Sequence, residues 1–285
     1  MTRRDLLAGA SALTLAGRLR AAKSHLTKAR VSAITDELSR TQAGALEFAK
    51  KHGLQMLELR TVPETKKDFA FLTAPELKEY ATALAAAKIK VSLLKTSLLK
   101  FSWHDDEKRF ARRADDLASA ISAAQILGTD RIRIFTGARG SADLPTVAHT
   151  IGEMIPAADR ARVRLVIENE PTQNVGTSAE LKALLDLLPS KAIGANWDPW
   201  NAMALKENAW PEGYKALPKD RLLNVQIKAE SLGAPDRIRW KTVLETLERD
   251  GFSGTVSLAT EATGDAFMDK ADDAVDEIMH VVGLL

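Results

Sequence analysis

Cysteine is missing from the 285-residue chain, and its absence excludes a disulfide framework, a thiolate-bound metal and a cysteine nucleophile. Any metal must then sit among carboxylates, histidines and amides. Histidine is itself scarce, at five residues. His25, His52, His149 and His280 fall in the leader, in helices or at helix ends, where solvation is the default; His104 alone stands in a loop able to reach a site. An excess of one sign of charge is missing as well. The 40 basic and 38 acidic residues leave a formal +2, which offers neither a groove for nucleic acid nor attraction to an anionic membrane. No G-x-G-x-x-G follows the first strand and no G-x-x-x-x-G-K-S/T occurs anywhere, so a nucleotide cofactor loses its main support. What is present is 45% hydrophobic and 27% charged residues, enough apolar content for a large core and too much for disorder.

The N-terminus is a different kind of sequence. Thr2-Arg3-Arg4-Asp5-Leu6-Leu7 leads into a weakly apolar run from Leu6 to Ala16, followed by Gly17-Arg18-Leu19-Arg20. This resembles a twin-arginine export signal, and the run is far shorter than the ~20 residues that span a bilayer. The alternative is an ordinary basic helix. Taken as a signal, residues 1–22 stand outside the fold and 23–285 form the functional part, exported to the periplasm with no membrane anchor. Export by this route carries folded proteins, which suits a metalloprotein, and a place outside the cytoplasm, where phosphorylated metabolites are scarce, argues against a phosphorylated natural substrate.

From Ala29 onward strands alternate with helices. The expected strands are Val31–Ile34, Met56–Leu59, Ile89–Leu94, Arg131–Phe135, a central one within Arg162–Pro171, Ala192–Trp197, Leu222–Ile227 and Gly254–Leu258. Between them, apolar periodicity and end signals predict helices over Ala43–His52, from the Thr73-Ala-Pro-Glu76 capping box to Ala87, Glu107–Leu127, Thr146–Ala158, from a Ser178 cap to about Pro189, Arg239–Arg249 and Asp265–Leu285. Uninterrupted alternation predicts a parallel sheet. The count of eight strands favours one closed α/β barrel, a (β/α)8 fold, over an open doubly wound sheet.

In such a barrel the carboxyl ends of the strands meet at one mouth, where chemistry collects. The central strand, Val163, Leu165, Val166 and Ile167, runs straight into Glu168, Asn169 and Glu170, and its carboxylate is a candidate ligand or general base. A solvated strand end is the plainer alternative. Asp36, Glu37, Glu58, Arg60, Lys95, Arg133, Glu170, Asp198, Gln226, Lys228 and Glu261 fall at the same mouth. Several acids around one mouth repel unless a cation or basic side chains neutralise them, and a divalent ion bound by oxygen ligands is one solution. A rim of ordinary ion pairs is another.

Six stretches in this order resemble the xylose-isomerase-like TIM barrels, sugar phosphate isomerases and epimerases that share a fold with the endonuclease IV group. They are Ser32–Leu38, Leu57–Arg60, Val166–Asn169, Asn196-Trp-Asp-Pro-Trp-Asn201, Val225–Lys228 and Gly251–Leu258. The resemblance implies a single divalent metal held by Glu, Asp, His and Glu of the last four strands, the glutamates also moving a proton between adjacent carbons. Carried over, Glu168 matches the first glutamate and Asp198 the aspartate. Gln226 stands where the family has histidine, and Ala259 where it has the last glutamate. Gln226 still offers a carbonyl oxygen, and Glu261, ~6–7 Å further along an extended strand, is the candidate for the missing ligand.

The implied site is thus Glu168, Asp198, Gln226 and Glu261 around Mn²⁺ or Mg²⁺, with Glu168 and Glu261 as acid and base. Glu58, Arg60, Lys95, His104, Arg133 and Lys228 would contact the substrate, and Trp200 would wall a sugar face or simply pack. The expected activity is isomerisation or epimerisation of a carbohydrate, or a related lyase reaction, by proton transfer next to a carbonyl. Ala259 and Ala229 support a catalytically weak carbohydrate-binding barrel instead, and Gln226 a lyase similar to the dehydroshikimate dehydratases. Endonuclease activity is disfavoured because a multi-zinc site needs several histidines at the mouth.

Overall fold

A computed structural model describes residues 26–260 and 266–284. The eight strands are β1 (Val31–Ala33), β2 (Met56–Leu59), β3 (Lys90–Lys95), β4 (Arg131–Ile134), β5 (Arg164–Glu168), β6 (Ile193–Trp197), β7 (Leu222–Lys228) and β8 (Thr255–Ala259). Each pairs in parallel with its neighbour in the order β1-β8-β7-β6-β5-β4-β3-β2. A single parallel bridge between Ile34 and Glu58 brings the two end strands together. The result is a (β/α)8 barrel. No helix among the described residues is long and apolar enough to cross a membrane.

Strands in this setting are covered on both faces, which is why they read as short apolar runs. One face packs beneath the helices, with Leu165 and Ile167 of β5 and Val225 and Ile227 of β7 in the main core. The other face lines the barrel. There Leu93 and Val166, each two residues before Lys95 and Glu168, meet Leu223 in a separate small apolar cluster. Above it the lining turns polar, and that change of layer positions the site. Gly194 is required beside the cluster, because a Cβ there would collide with Leu223.

Three helices differ from expectation. The stretch from Glu107 divides at Arg112 into Glu107–Ala111 and Arg113–Leu127. The next divides into Leu144–Gly152 and Ile155–Ala161, since Pro156 has no N–H to continue the first helix and instead serves in the first turn of the second. Thr177, rather than Ser178, caps Ser178–Leu187, its hydroxyl accepting from Glu180 N while Glu180 reaches back. Ser178 is buried and its Oγ accepts from Trp197 Nε1 at 2.9 Å. A helix over Pro199–Ala204, capped by Asp198, follows β6 directly.

Candidate functional site

At the C-terminal end of the barrel, β3 ends on Lys95, whose ammonium is fully buried. Its Nζ donates to Gln226 Oε1, lies 3.3 Å from Glu58 Oε2 and 3.5 Å from Glu168 Oε2. The ammonium thus meets three oxygens, brought by β2, β5 and β7, one through a hydrogen bond and two as ion pairs. Glu58 is also fully buried, and its Oε1 accepts from Asn224 at 3.0 Å.

Glu168 ends β5 with its Oε2 at the meeting point of several donors. Asn196 Nδ2 donates to it at 2.7 Å and Arg133 Nη1 at 3.0 Å. The Arg133 guanidinium is in turn fixed by the Thr96 carbonyl, at 3.0 Å from Nη2. Burial alone would push the Glu168 pKa up, but the Lys95, Arg133 and Lys228 cations outweigh it and hold the carboxyl well below the usual range. Glu168 is therefore ionised at neutral pH.

Asp198 lies one residue beyond β6. Its Oδ1 accepts from Asn201 N at 3.0 Å, and its Oδ2 is 3.5 Å from Lys228 Nζ. Asn169 joins the ends of β5 and β6, accepting from Asp198 N and donating to the Asp198 carbonyl, both at 2.8 Å. On the far side of the mouth Arg60 pairs with Asp36 at 2.8 Å and Glu37 at 2.7 Å. Glu37 also accepts from Thr260 N at 2.6 Å, just past β8.

A cavity of about 520 Å³ opens over these groups, lined by Glu37, Arg60, Lys100, Arg133, Glu168 and Gln226 among others. Ala259 contributes to the same lining. Lys100 pairs with Glu170 at 2.6 Å. Of the residues the sequence pointed to, Glu58, Lys95, Arg133, Glu168, Gln226, Asp198 and Lys228 come together, and Arg60 lies at the rim. His104 is exposed in the loop after β3. Trp200 is half-buried with the Arg237 guanidinium 4.2 Å over its ring, and neither residue lines the cavity. Glu261 lies outside the described residues, as does the N-terminal segment read as an export signal.

Two residues of the site went unread in the sequence. Asn196 Nδ2 bridges Glu168 and Gln226, the latter at 3.1 Å, and Asn224 bridges Glu58 and Asn196, donating to Asn196 Oδ1 at 2.8 Å. Both are polar residues set at the inward position of otherwise apolar strands, a departure from pattern that marks them.

An eight-stranded parallel barrel with charged groups gathered at its C-terminal mouth is the architecture of many enzymes. Residues 46–281 match the family model for the xylose isomerase-like TIM barrel, and the chain belongs to that family. Solved structures share the fold at low identity. One is a xylose isomerase-like TIM barrel/4-hydroxyphenylpyruvate dioxygenase fusion protein, with a TM-score of 0.70 and 17% identity over 90% of this chain. This chain spans 43% of that protein's length. Another is the 3-keto-D-glucoside 4-epimerase YcjR from E. coli, with a TM-score of 0.69 and 14% identity over 89% of this chain and 99% of that one. A third is the IOLI protein with a bound zinc atom, with a TM-score of 0.69 and 18% identity over 90% of this chain and 98% of that one. No curated protein matches the sequence.

The family resemblance implies a divalent ion, and the described side chains do not fit one. The Glu168 Oε2 and Gln226 Oε1 already face an ammonium and an amide N–H. Ala259 offers no donor where the family has glutamate, and no three His, Asp or Glu side chains come together as a ligand group among the described residues. The charges lead to the same conclusion. Glu58, Glu168 and Asp198 are balanced by Lys95, Arg133 and Lys228, so a dication would leave buried positive charge without compensation, costing several kcal/mol.

Proposed function

We propose that the protein binds a small, uncharged carbohydrate bearing a carbonyl at the barrel mouth and moves a proton on the carbon beside that carbonyl, as an isomerase or epimerase. The observation that carries this reading is the ionised, buried Glu168 at the edge of a cavity large enough for a monosaccharide, with cations beside it. Glu168 accepts the proton from carbon. Negative charge then develops on the carbonyl oxygen, where Arg133 is placed to stabilise it. Return of the proton is assigned to Glu261 on the strength of its place in the sequence after β8.

The charge of the lining supports an uncharged substrate. Glu37, Glu168 and Glu170 are matched by Arg60, Lys100 and Arg133, each paired with a neighbour, so among the described residues the lining carries no surplus cation for a phosphate. Export to the periplasm, proposed from the N-terminal sequence, agrees with this. A second reading is a carbohydrate-binding barrel without turnover, favoured by the strongly lowered Glu168 pKa, which makes a weak base, and by Ala259 in place of a second carboxylate.

Calorimetric titration with a panel of neutral keto-sugars and their phosphate esters, followed by product analysis, tests the reading. Saturable binding of a neutral keto-sugar with conversion supports it. Binding without conversion would leave the binder, and preference for phosphate esters would overturn the assigned substrate class.

A further inference from the structure

We infer that Lys95 stands in the place of the divalent ion, as a built-in cation that gathers the mouth carboxylates and makes the site metal-independent. The inference deepens the proposed function, and only its carbohydrate part rests on that reading. A metal ion in such a mouth would collect oxygen ligands from several strands and neutralise them. Lys95 Nζ does both, facing Gln226 Oε1, Glu58 Oε2 and Glu168 Oε2 from three other strands. Its stem rises from the last residue of β3, and it shares Glu168 Oε2 with the Arg133 guanidinium.

Two further observations agree. Asn196 Nδ2 donates to both Glu168 Oε2 and Gln226 Oε1, so the two oxygens that a metal would use are oriented toward N–H donors from β6 as well as toward the ammonium. The ammonium donates one hydrogen bond, to Gln226 Oε1, and holds the Glu58 and Glu168 carboxylates at ion-pair distance, 3.3 and 3.5 Å. The loss of the family histidine and last glutamate then removes ligands that this site no longer uses. A cation fixed by a covalent stem cannot be removed by chelation, which distinguishes this arrangement from a metal site in a simple measurement.

The test is titration of the full chain, treated with EDTA, with Mn²⁺, Mg²⁺ and Zn²⁺, followed by calorimetry and by thermal unfolding, for wild type and Lys95→Ala. Wild type should show no saturable uptake and an unfolding temperature unmoved by metal or EDTA. Lys95→Ala opens space between Glu58 and Glu168 and should gain saturable uptake of one ion, with the unfolding temperature rising by ~5 °C at ~1 mM metal. One tightly held ion per wild-type chain would overturn the inference, and so would a folded Lys95→Ala protein that takes up no metal. Should that variant fail to fold, the wild-type result decides. Keto-sugar binding by wild type in EDTA separates the two readings. If no sugar binds while metal uptake is absent, the carbohydrate reading fails and Lys95 keeps its assignment; sugar binding that appears only with metal overturns the assignment of Lys95.

Discussion

Lys95 Nζ lies 3.3 Å from Glu58 Oε2, and both side chains are fully removed from solvent. A buried pair of this kind adds little compared with an apolar pair of the same shape, but removing one partner leaves a charge stranded. The pair therefore locks the barrel lining around the site.

Lys95→Met keeps the volume and removes the charge. It should lower unfolding stability by ~3–5 kcal/mol in urea, because Glu58 loses its cation and Glu168 one of its two nearest. Adding Glu58→Gln should recover much of the loss by removing the stranded charge. An unchanged stability in Lys95→Met would show that the pair does not hold the lining together.

Trp197 Nε1 donates to Ser178 Oγ at 2.9 Å, and both residues are buried. Ser178→Ala leaves the indole N–H without its acceptor and should cost ~1–3 kcal/mol. Helix capping should be untouched, since Thr177 is the cap. Far-UV circular dichroism of the folded variant should match wild type while its denaturation midpoint falls.

The Glu180 carboxylate accepts from Gly176 N at 2.8 Å and Thr177 N at 3.0 Å, and pairs with Arg139 at 2.9 Å. Burial pushes its pKa up, but the Arg139 and backbone hydrogen bonds prevail and lower it to about 2 from an ordinary 4.5. The folded value lies below the unfolded one, so the stabilisation is complete above pH 4.5 and fades as the pH falls toward about 2. The group is half-buried, with about a third of its side chain open to solvent, and screening limits the effect to ~1 kcal/mol. Glu180→Gln should be less stable than wild type by that amount at neutral pH, with the gap closing in acid. A gap that is constant with pH would contradict the sign.

The fold was legible because each buried parallel strand leaves a short apolar run and each turn its breaker. The strand cores at Met56–Leu59, Ile193–Trp197 and Thr255–Leu258 fall inside the expected spans. Helix interruptions were less legible. Pro156 carries a clear signal, but the break at Arg112 leaves none in residue type. The mouth residues could be read from position alone, since polar side chains at the ends of apolar strands have one place to go. Their partners could not. Lys95, Glu58, Glu168 and Gln226 come from four strands, and which of them meet depends on stagger and rotamer rather than on any local pattern. The acids at the mouth pointed to a cation, and their ion pairs with Lys95, Arg133 and Lys228 were equally hidden from local pattern.

The Arg133 guanidinium binds the Thr96 carbonyl through two nitrogens, at 3.2 and 3.0 Å, while a third reaches Glu168. A lysine has no such fork. Arg133→Lys should keep the fold and the net charge while weakening keto-sugar affinity by ~10-fold, a loss of ~1.4 kcal/mol measured by calorimetry. Unchanged affinity would place the substrate away from Arg133.

Proton transfer by Glu168 beside a carbohydrate carbonyl is read out by exchange of that C–H for deuterium in D2O, with EDTA present. Wild type should incorporate deuterium into at least one neutral keto-sugar of the panel, and Glu168→Gln, which keeps the shape but cannot take the proton, should not. Equal incorporation by both proteins, or none by wild type on a sugar that it demonstrably binds, would contradict proton transfer by Glu168.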